Sequence, residues 1–332
     1  AEEELLEEVL LASREDGGRK RRPHPGPVPA GEGAEPPPVD AGLAEVYLER
    51  LAAHVPARLN GRAVLMDAGN GAAFLVGPEA LRRAGAVVTA ICDRPDGRNI
   101  NAGCGALHPE GMAARTREAG ASMGVAFDGD ADRAIFSDET GRILDGDDVL
   151  WIVARDWKRR GLLAEGGVVG TVMSNYGLEA ALGREGIAFR RSAVGDRNVA
   201  RLMEESRASI GGETSGHVIF PSSPAGDGIQ TSLVLASITA ENGGPLSRLA
   251  DLEKTPQALR NVRVARRVPL EDAAGISRAV ARAEDALNRR GRVFLRYSGT
   301  EPLLRILVEG LEEREVMSIA DDLEAAARAE LA

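Results

Sequence analysis

The sequence predicts an α/β protein made of two consecutive strand-and-helix units followed by a small C-terminal α+β unit. Three observations lead there. From Ala41 onward, apolar runs of strand length alternate with helical patterns, the signature of α/β layers around a largely parallel sheet. That alternation occurs twice in succession. Between Leu249 and Ala258 the character changes, and the remainder reads as strand, helix, two strands and helix.

In the first unit, Arg62 to Met66 is a strand, a helix runs from about Pro78 to Ala84, and Ala86 to Ile91 is the next strand. Met123 to Phe127 and Ala134 to Ser137 are short strands bracketing an acidic turn. The second unit follows a helix near Asp147 to Arg160. It has strands at Val168 to Met173 and Ala188 to Val194, and helices at Tyr176 to Glu185 and Arg197 to Glu205. A glycine-rich loop and a long helix around Asp227 to Glu241 complete it. The closing helix, Glu312 to Leu331, starts with acidic residues that suit the positive end of its dipole.

At 332 residues the chain exceeds the usual size of a single core, so two or three domains are expected. Its net charge of −10 argues against a polyanion as principal partner, so no nucleic acid is expected. No apolar stretch reaches bilayer length and nothing resembles a signal peptide, which together point to a cytoplasmic protein without a membrane partner. Cys92 and Cys104 are the only cysteines, too few for a disulfide framework. His24, His54, His108 and His217 form no zinc-like spacing with either, so no transition-metal site is expected; His108 reads as a turn or capping residue ahead of Pro109. The chain opens on Ala1 inside an acidic helical pattern, AEEELLEEVLLAS, expected to be the remnant last helix of an upstream domain. Residues 1–40 then complete this remnant with a basic cluster, Arg19 to Arg22, and a proline-rich linker, Pro23 to Pro38.

The richest chemistry lies in GVAFDGDADR, Gly124 to Arg133. Asp128, Asp130 and Asp132 alternate along a tight turn directly after an apolar strand, with Arg133 next. Three carboxylates suit a small hard cation, Mg²⁺ or Ca²⁺, and leave coordination positions open for water or a phosphate oxygen. The three aspartates and Glu139 also match positions of a calcium-binding EF-hand loop. That reading fails because Arg133 occupies the position needing glycine and because strands, not helices, flank the turn.

Three further segments carry polar groups in loop positions. Asp67, Gly69, Asn70 and Gly71 follow the first strand, where open α/β sheets bind ligands, although glycines there equally serve tight turning. GGETSGH, Gly211 to His217, offers a carboxylate, hydroxyls and an imidazole among glycines, a set suited to sugar hydroxyls; alone it equally reads as a glycine-rich surface turn. RYSGTEP, Arg296 to Pro302, holds an arginine, two hydroxyls and a flexible glycine within one inter-strand turn, the inventory for cradling a phosphate, with Arg305 beyond it. A cation, a hydroxyl-binding loop and a phosphate cradle together imply a phosphorylated sugar whose phosphate is moved.

With these motifs the chain resembles the α-D-phosphohexomutases from Ala41 to its C-terminus. The resemblance rests on DAGNGAA at Asp67, PDGRNINAGCGALHPE at Pro95, DGDADR at Asp128, GTVMSNYGLE at Gly170, VGDRNV at Val194, GGETSGH at Gly211 and SGTEPLLR at Ser298, in family order. It implies consecutive three-layer α/β/α domains at 41–146 and 147–255 and a C-terminal α+β phosphate-binding domain at 256–332. It also implies conversion of glucosamine 6-phosphate to glucosamine 1-phosphate through a bisphosphorylated intermediate. By that resemblance Asp128, Asp130 and Asp132 would hold Mg²⁺, and Arg133 would stand near the transferring group. Glu213 and Ser215 would bind sugar hydroxyls with His217 beside them. Arg296, Ser298, Gly299 and Thr300, with Arg305, would hold the phosphate that is not reacting. Relatives are often dimers.

The family's reactive phosphoserine lies in a first-domain loop reading roughly S-A-S-H-N-P, and these residues contain no Ser-His-Asn run. The expectation is therefore an incomplete sequence of a working enzyme, with this chain alone inactive. Tyr297 stands where the family usually has proline, and Thr214 where the glucosamine branch usually has glutamine. A phosphomannomutase or phosphoglucomutase, and a non-catalytic sugar-phosphate-binding protein, remain as alternatives.

Overall fold

Three sheets organise the computed structural model, which describes residues 41–54, 58–223, 225–298 and 301–331. The expected remnant helix and proline-rich linker of residues 1–40 lie outside the described residues, as do Gly299 and Thr300.

The first sheet has strand order β2-β1-β3-β4-β5 and is built from β1 (Ala63–Asp67), β2 (Val87–Ile91), β3 (Met123–Phe127), β4 (Ala134–Asp138) and β5 (Ile143–Leu144). β1 pairs in parallel with β2 and β3, while β4 and β5 turn back antiparallel. β3 is buried along its whole length, which explains its unbroken apolar sequence and fixes the starting point of the aspartate turn. Helix α1 (Ala41–His54) precedes this sheet, and α2 (Ala73–Arg83) and α3 (Glu110–Glu118) belong to it.

Helix α2 starts at Ala73, not at Pro78 as the sequence suggested, and carries Pro78 in its interior. Proline lacks an N–H and usually opens helices, which made Pro78 look like a start. Burial of Ala73, Gly77 and Leu81 on one helical face outweighs the missing bond. Gly77 lets this face approach β1, since a Cβ there would stand 3.0 Å from Met66 Sδ. His108 caps the C-terminal end of a short 3₁₀ turn, Gly105–Leu107.

The second sheet, ordered β7-β6-β8-β9, contains β6 (Val168–Thr171), β7 (Phe189–Ser192), β8 (Ile210–Gly212) and β9 (Val218–Ile219). It is parallel except for the β8–β9 hairpin, whose turn is the glycine-rich loop. Helices α4 (Gly146–Arg159), α5 (Tyr176–Arg184) and α6 (Asp196–Ser206) alternate with its strands. α4 begins with a reciprocal cap: the Asp145 side chain accepts from the Asp147 and Asp148 amides, and the Asp148 side chain accepts from the Asp145 amide. The long helix α7 (Gly228–Asn242) packs against α2, β3 and β4 of the first sheet. One continuous apolar cluster, from Leu48 through Phe127 and Ile210 to Leu252, therefore runs through both α/β layers.

The C-terminal sheet is fully antiparallel, with β10 (Gln257–Arg263) and β11 (Gly291–Tyr297) flanking β12 (Leu303–Gly310). Helices α8 (Ala274–Leu287) and α9 (Glu313–Leu331) cover it around a separate apolar cluster that includes Val262, Leu304, Val308 and Leu323.

Candidate active site

Asp128 follows β3 immediately, so the buried strand carries the aspartate turn to the sheet edge. Within the turn the Arg133 amide donates to Asp128 Oδ1 at 3.1 Å, and the Ala131 amide donates to the Asp128 carbonyl at 3.2 Å. Ala131 adopts a left-handed conformation with φ of 64°, which a side chain disfavours. The amide of Gly228, at the start of α7, holds it there by donating to the Ala131 carbonyl at 2.9 Å. Gly228 is required at this contact, because a Cβ would meet the Arg133 carbonyl oxygen at 2.9 Å.

Carboxylate oxygens of Asp128, Asp130 and Asp132 lie within 4.8 Å of one another. Burial, and then the negative charges of Asp132 and Asp130, push the Asp128 carboxyl up to about 6. Asp132 Oδ1 is buried and has no hydrogen-bond partner. Three hard oxygen donors, one of them orphaned, fit a divalent cation of the Mg²⁺ class, which would satisfy that oxygen and neutralise the crowded charge. The Arg133 guanidinium reaches the same turn, its Nε 3.7 Å from both Asp128 and Asp132 carboxylates.

The β8–β9 hairpin closes its turn with two backbone bonds, Glu213 amide to His217 carbonyl at 2.9 Å and Gly216 amide to Glu213 carbonyl at 3.0 Å. It then crosses to the first sheet. The Ala134 amide donates to the Gly216 carbonyl at 3.1 Å, and Arg133 and His217 form an antiparallel bridge. Gly216 can sit there only without a side chain, since a Cβ would lie 2.3 Å from the Ala134 carbonyl oxygen. His217 is buried and its Nδ1 is 3.1 Å from Asp132 Oδ2. Asp128, Asp130, Arg133 and Ser215 consequently line one cleft of about 540 Å³, together with Ile100 and Asn101.

The residues expected to cradle a phosphate sit elsewhere. Arg296 on β11 is directly opposite Arg305 on β12, and the Arg305 Nε is buried without a partner. Like charges facing each other across a ladder are unfavourable, and the half-exposed Glu301 carboxylate, 3.5 Å from Arg305 Nη2, offsets only part of that charge. Ser298 is buried at the end of β11, and its carbonyl accepts from Arg267 at 2.6 Å. Arg267 also donates to the Glu301 carbonyl at 2.8 Å, bracing the turn. Sequence reading missed Arg267 because it lies more than thirty residues away in an ordinary basic stretch. The residues lining the cleft do not include Arg296, Ser298 or Arg305.

Asp67 and Asn70 act as turn builders. The Asp67 carboxylate accepts from the Gly69 amide at 2.8 Å and the Gly105 amide at 3.1 Å. Gly71 packs directly on the aspartate turn, where a Cβ would stand 2.4 Å from the Gly129 carbonyl oxygen.

Family models for the phosphoglucomutase/phosphomannomutase proteins match this chain in three consecutive parts. Alpha/beta/alpha domain II matches residues 45–141, alpha/beta/alpha domain III residues 145–255, and the C-terminal domain residues 259–326. The chain is 45% identical over 314 residues to a phosphoglucosamine mutase of Symbiobacterium thermophilum, an overlap of 94% of this chain and 70% of that protein. It is 45% identical over 329 residues to a phosphoglucosamine mutase of Caulobacter vibrioides, covering 97% and 69%. Against the protein of that name from Alkalilimnicola ehrlichii, identity is 46% over 272 residues, covering 81% and 60%. Among solved structures, a phosphoglucomutase/phosphomannomutase family protein from Burkholderia thailandensis shares the fold with a TM-score of 0.71 at 22% identity, covering 87% of this chain and 64% of that one. Aspergillus fumigatus N-acetylphosphoglucosamine mutase, solved in complex with GlcNAc-6P and magnesium, gives 0.64 at 22% identity, covering 86% and 70%. The chain belongs to the phosphoglucomutase/phosphomannomutase family, of which it carries domain II, domain III and the C-terminal domain.

Proposed function

We propose that this chain supplies the metal-binding, sugar-binding and distal-phosphate-binding parts of a phosphoglucosamine mutase, which interconverts glucosamine 6-phosphate and glucosamine 1-phosphate. The observation that carries the reading is the Arg133–His217 bridge, with the His217–Asp132 contact of 3.1 Å, which joins the aspartate turn and the hydroxyl-binding hairpin on one cleft. Its relatives named phosphoglucosamine mutase at about 45% identity support the same substrate.

Mg²⁺ held by Asp128, Asp130 and Asp132 would neutralise charge on the phosphoryl group in transfer. Arg133, at the rim of the turn, is placed to hydrogen-bond the same phosphoryl oxygens. Glu213 accepts from sugar hydroxyls, and Ser215 can donate to or accept from them. His217 orients Asp132. Arg296, Ser298 and Arg305, with Gly299 and Thr300 of the same turn, clamp the phosphate at the other end of the sugar. A distal clamp suits a reaction in which the same hexose binds in two flipped orientations before one reactive centre. These 332 residues contain no Ser-His-Asn run of the kind expected to carry the exchanging phosphoserine.

The test is to assay the chain joined, or mixed, with a phosphoserine-bearing domain of a relative. Turnover should appear, with kcat/KM for glucosamine 6-phosphate exceeding that for mannose and glucose phosphates. A preference for mannose or glucose phosphate would reassign the substrate. Saturable binding without turnover in that mixture would favour a non-catalytic sugar-phosphate-binding protein.

A further inference from the structure

The only two cysteines among the 332 residues meet in the fold. Cys92 follows β2 in a left-handed conformation, φ 48°, with its carbonyl accepting from the Asn70 amide at 2.7 Å. Cys104 is buried just ahead of the 3₁₀ turn Gly105–Leu107. Between them lies Asp67, the buried last residue of β1. The two sulfurs and a carboxylate oxygen of Asp67 all lie within 4.8 Å of one another. The Asp67 carboxylate is held in place by the Gly69 and Gly105 amides, the outer bonds that ordinarily fix a ligating carboxylate.

We propose that Asp67, Cys92 and Cys104 form a site for a thiophilic divalent cation of the Zn²⁺ class, separate from the aspartate turn and beyond the mutase reading. Tetrahedral coordination with metal–sulfur bonds of about 2.3 Å places ligand atoms roughly 3.8 Å apart, so the side chains need move by only about an ångström. Two sulfurs select against Mg²⁺, whereas the oxygen-only aspartate turn suits it, so the two sites take different metals. Each thiol releases its proton to solvent as its sulfur–metal bond forms, and a fourth position stays open. Cys92 is partly exposed and provides the entry path. The twelve-residue separation in sequence, with Asp67 a further 25 residues upstream, hides this set from any spacing rule. The segment between the cysteines carries Ile100 and Asn101 to the cleft, so a bound cation would stiffen one cleft wall.

The experiment titrates the fully reduced chain with Cd²⁺ in a large excess of Mg²⁺. One equivalent should bind, read as an ultraviolet thiolate-to-cadmium charge-transfer band and as loss of alkylation at the accessible Cys92. Cys92→Ser and Cys104→Ser should each abolish the band, whereas Asp130→Asn should leave it unchanged. Circular dichroism accompanies each variant, and the partly exposed Cys92 carries the test should buried Cys104→Ser unfold. Absence of a band in the parent chain, its survival in a folded cysteine variant, or its loss in Asp130→Asn overturns the assignment.

Discussion

His217 Nδ1 stands 3.1 Å from Asp132 Oδ2, and this contact joins a hairpin of the second sheet to the aspartate turn of the first. The imidazole is buried, and Gly226 packs on it so closely that a Cβ would lie 2.3 Å from Nε2. An orienting partner of a metal-ligating carboxylate typically changes metal affinity roughly 10- to 100-fold when removed. His217→Ala is expected to weaken Mg²⁺ binding by that factor, measured by calorimetry. His217→Asn, whose amide can replace Nδ1, should recover much of it; equal losses would show that packing alone is at stake.

Arg296 and Arg305 face each other across β11 and β12. Removing Arg305 relieves this repulsion and gives up only an exposed pair with Glu301 in the free protein, and on the proposed reading it takes away a charge-assisted bond to the substrate phosphate, worth about 1.5–3 kcal/mol. Arg305→Leu should leave the thermal midpoint unchanged or slightly raised while weakening glucosamine 6-phosphate binding roughly 10- to 100-fold. A large fall in the midpoint with unaltered binding would place Arg305 in the scaffold instead.

Asp147 lies fully buried beneath the β8–β9 hairpin, accepting from the Asn175 amide at 2.8 Å and from Thr214 Oγ1 at 3.4 Å. Burial, then the Asp145 charge, pushes its carboxyl from 3.8 up to about 6. Because the folded value is the higher one, stability is fully present below the unfolded value and is lost as pH rises through about 6. The loss amounts to about 3 kcal/mol at neutral pH, since each unit is worth about 1.4 kcal/mol. Asp147→Asn should flatten the fall in denaturant-derived stability between about pH 4 and pH 6. An unchanged slope would assign that fall to other groups, Asp128 and Asp148 first.

Glu309 anchors the C-terminal sheet to the start of helix α5 in the second α/β layer. Fully buried, it is paired with the Arg292 guanidinium and accepts from the Tyr176 amide at 3.2 Å and Gln257 Nε2 at 3.0 Å. Arg292 itself donates to the Ser174 carbonyl at 3.0 Å. Glu309→Ala removes the counter-charge of the half-buried Arg292 guanidinium and leaves the Tyr176 amide without its acceptor, a change expected to cost about 1–3 kcal/mol. The expected result is an earlier calorimetric transition for the C-terminal part, separated from the rest. A single unshifted transition would show that this pair does not hold the parts together.

Much of this was legible in sequence where one segment contains its own signal. The apolar run before Asp128 announced a buried strand that ends in an acidic turn. The order of elements after Leu249 likewise followed from periodicity. Helix α3 escaped notice because EGMAARTRE is mostly polar and buries only Met112, Ala113 and Thr116. The start of α2 was displaced by reading Pro78 as an opener. Groups assembled from distant segments left no local trace. Lys254 lies 2.7 Å from both Asp145 and Asp148, Arg267 braces the Ser298 turn, and Asp67 meets the two cysteines. The two-residue strands β5 and β9 also depend on pairings between segments rather than on their own residues, whereas β4 was legible from its apolar run.

If the aspartate turn and the glycine-rich hairpin form one sugar-phosphate site, calorimetric titration of the chain with glucosamine 6-phosphate, with and without Mg²⁺, will register both. Saturable one-site binding should strengthen with Mg²⁺, and the Mg²⁺ effect should vanish in Asp130→Asn while Glu213→Ala weakens binding at any Mg²⁺ concentration. Absence of binding, or binding indifferent to both substitutions, would contradict a shared site.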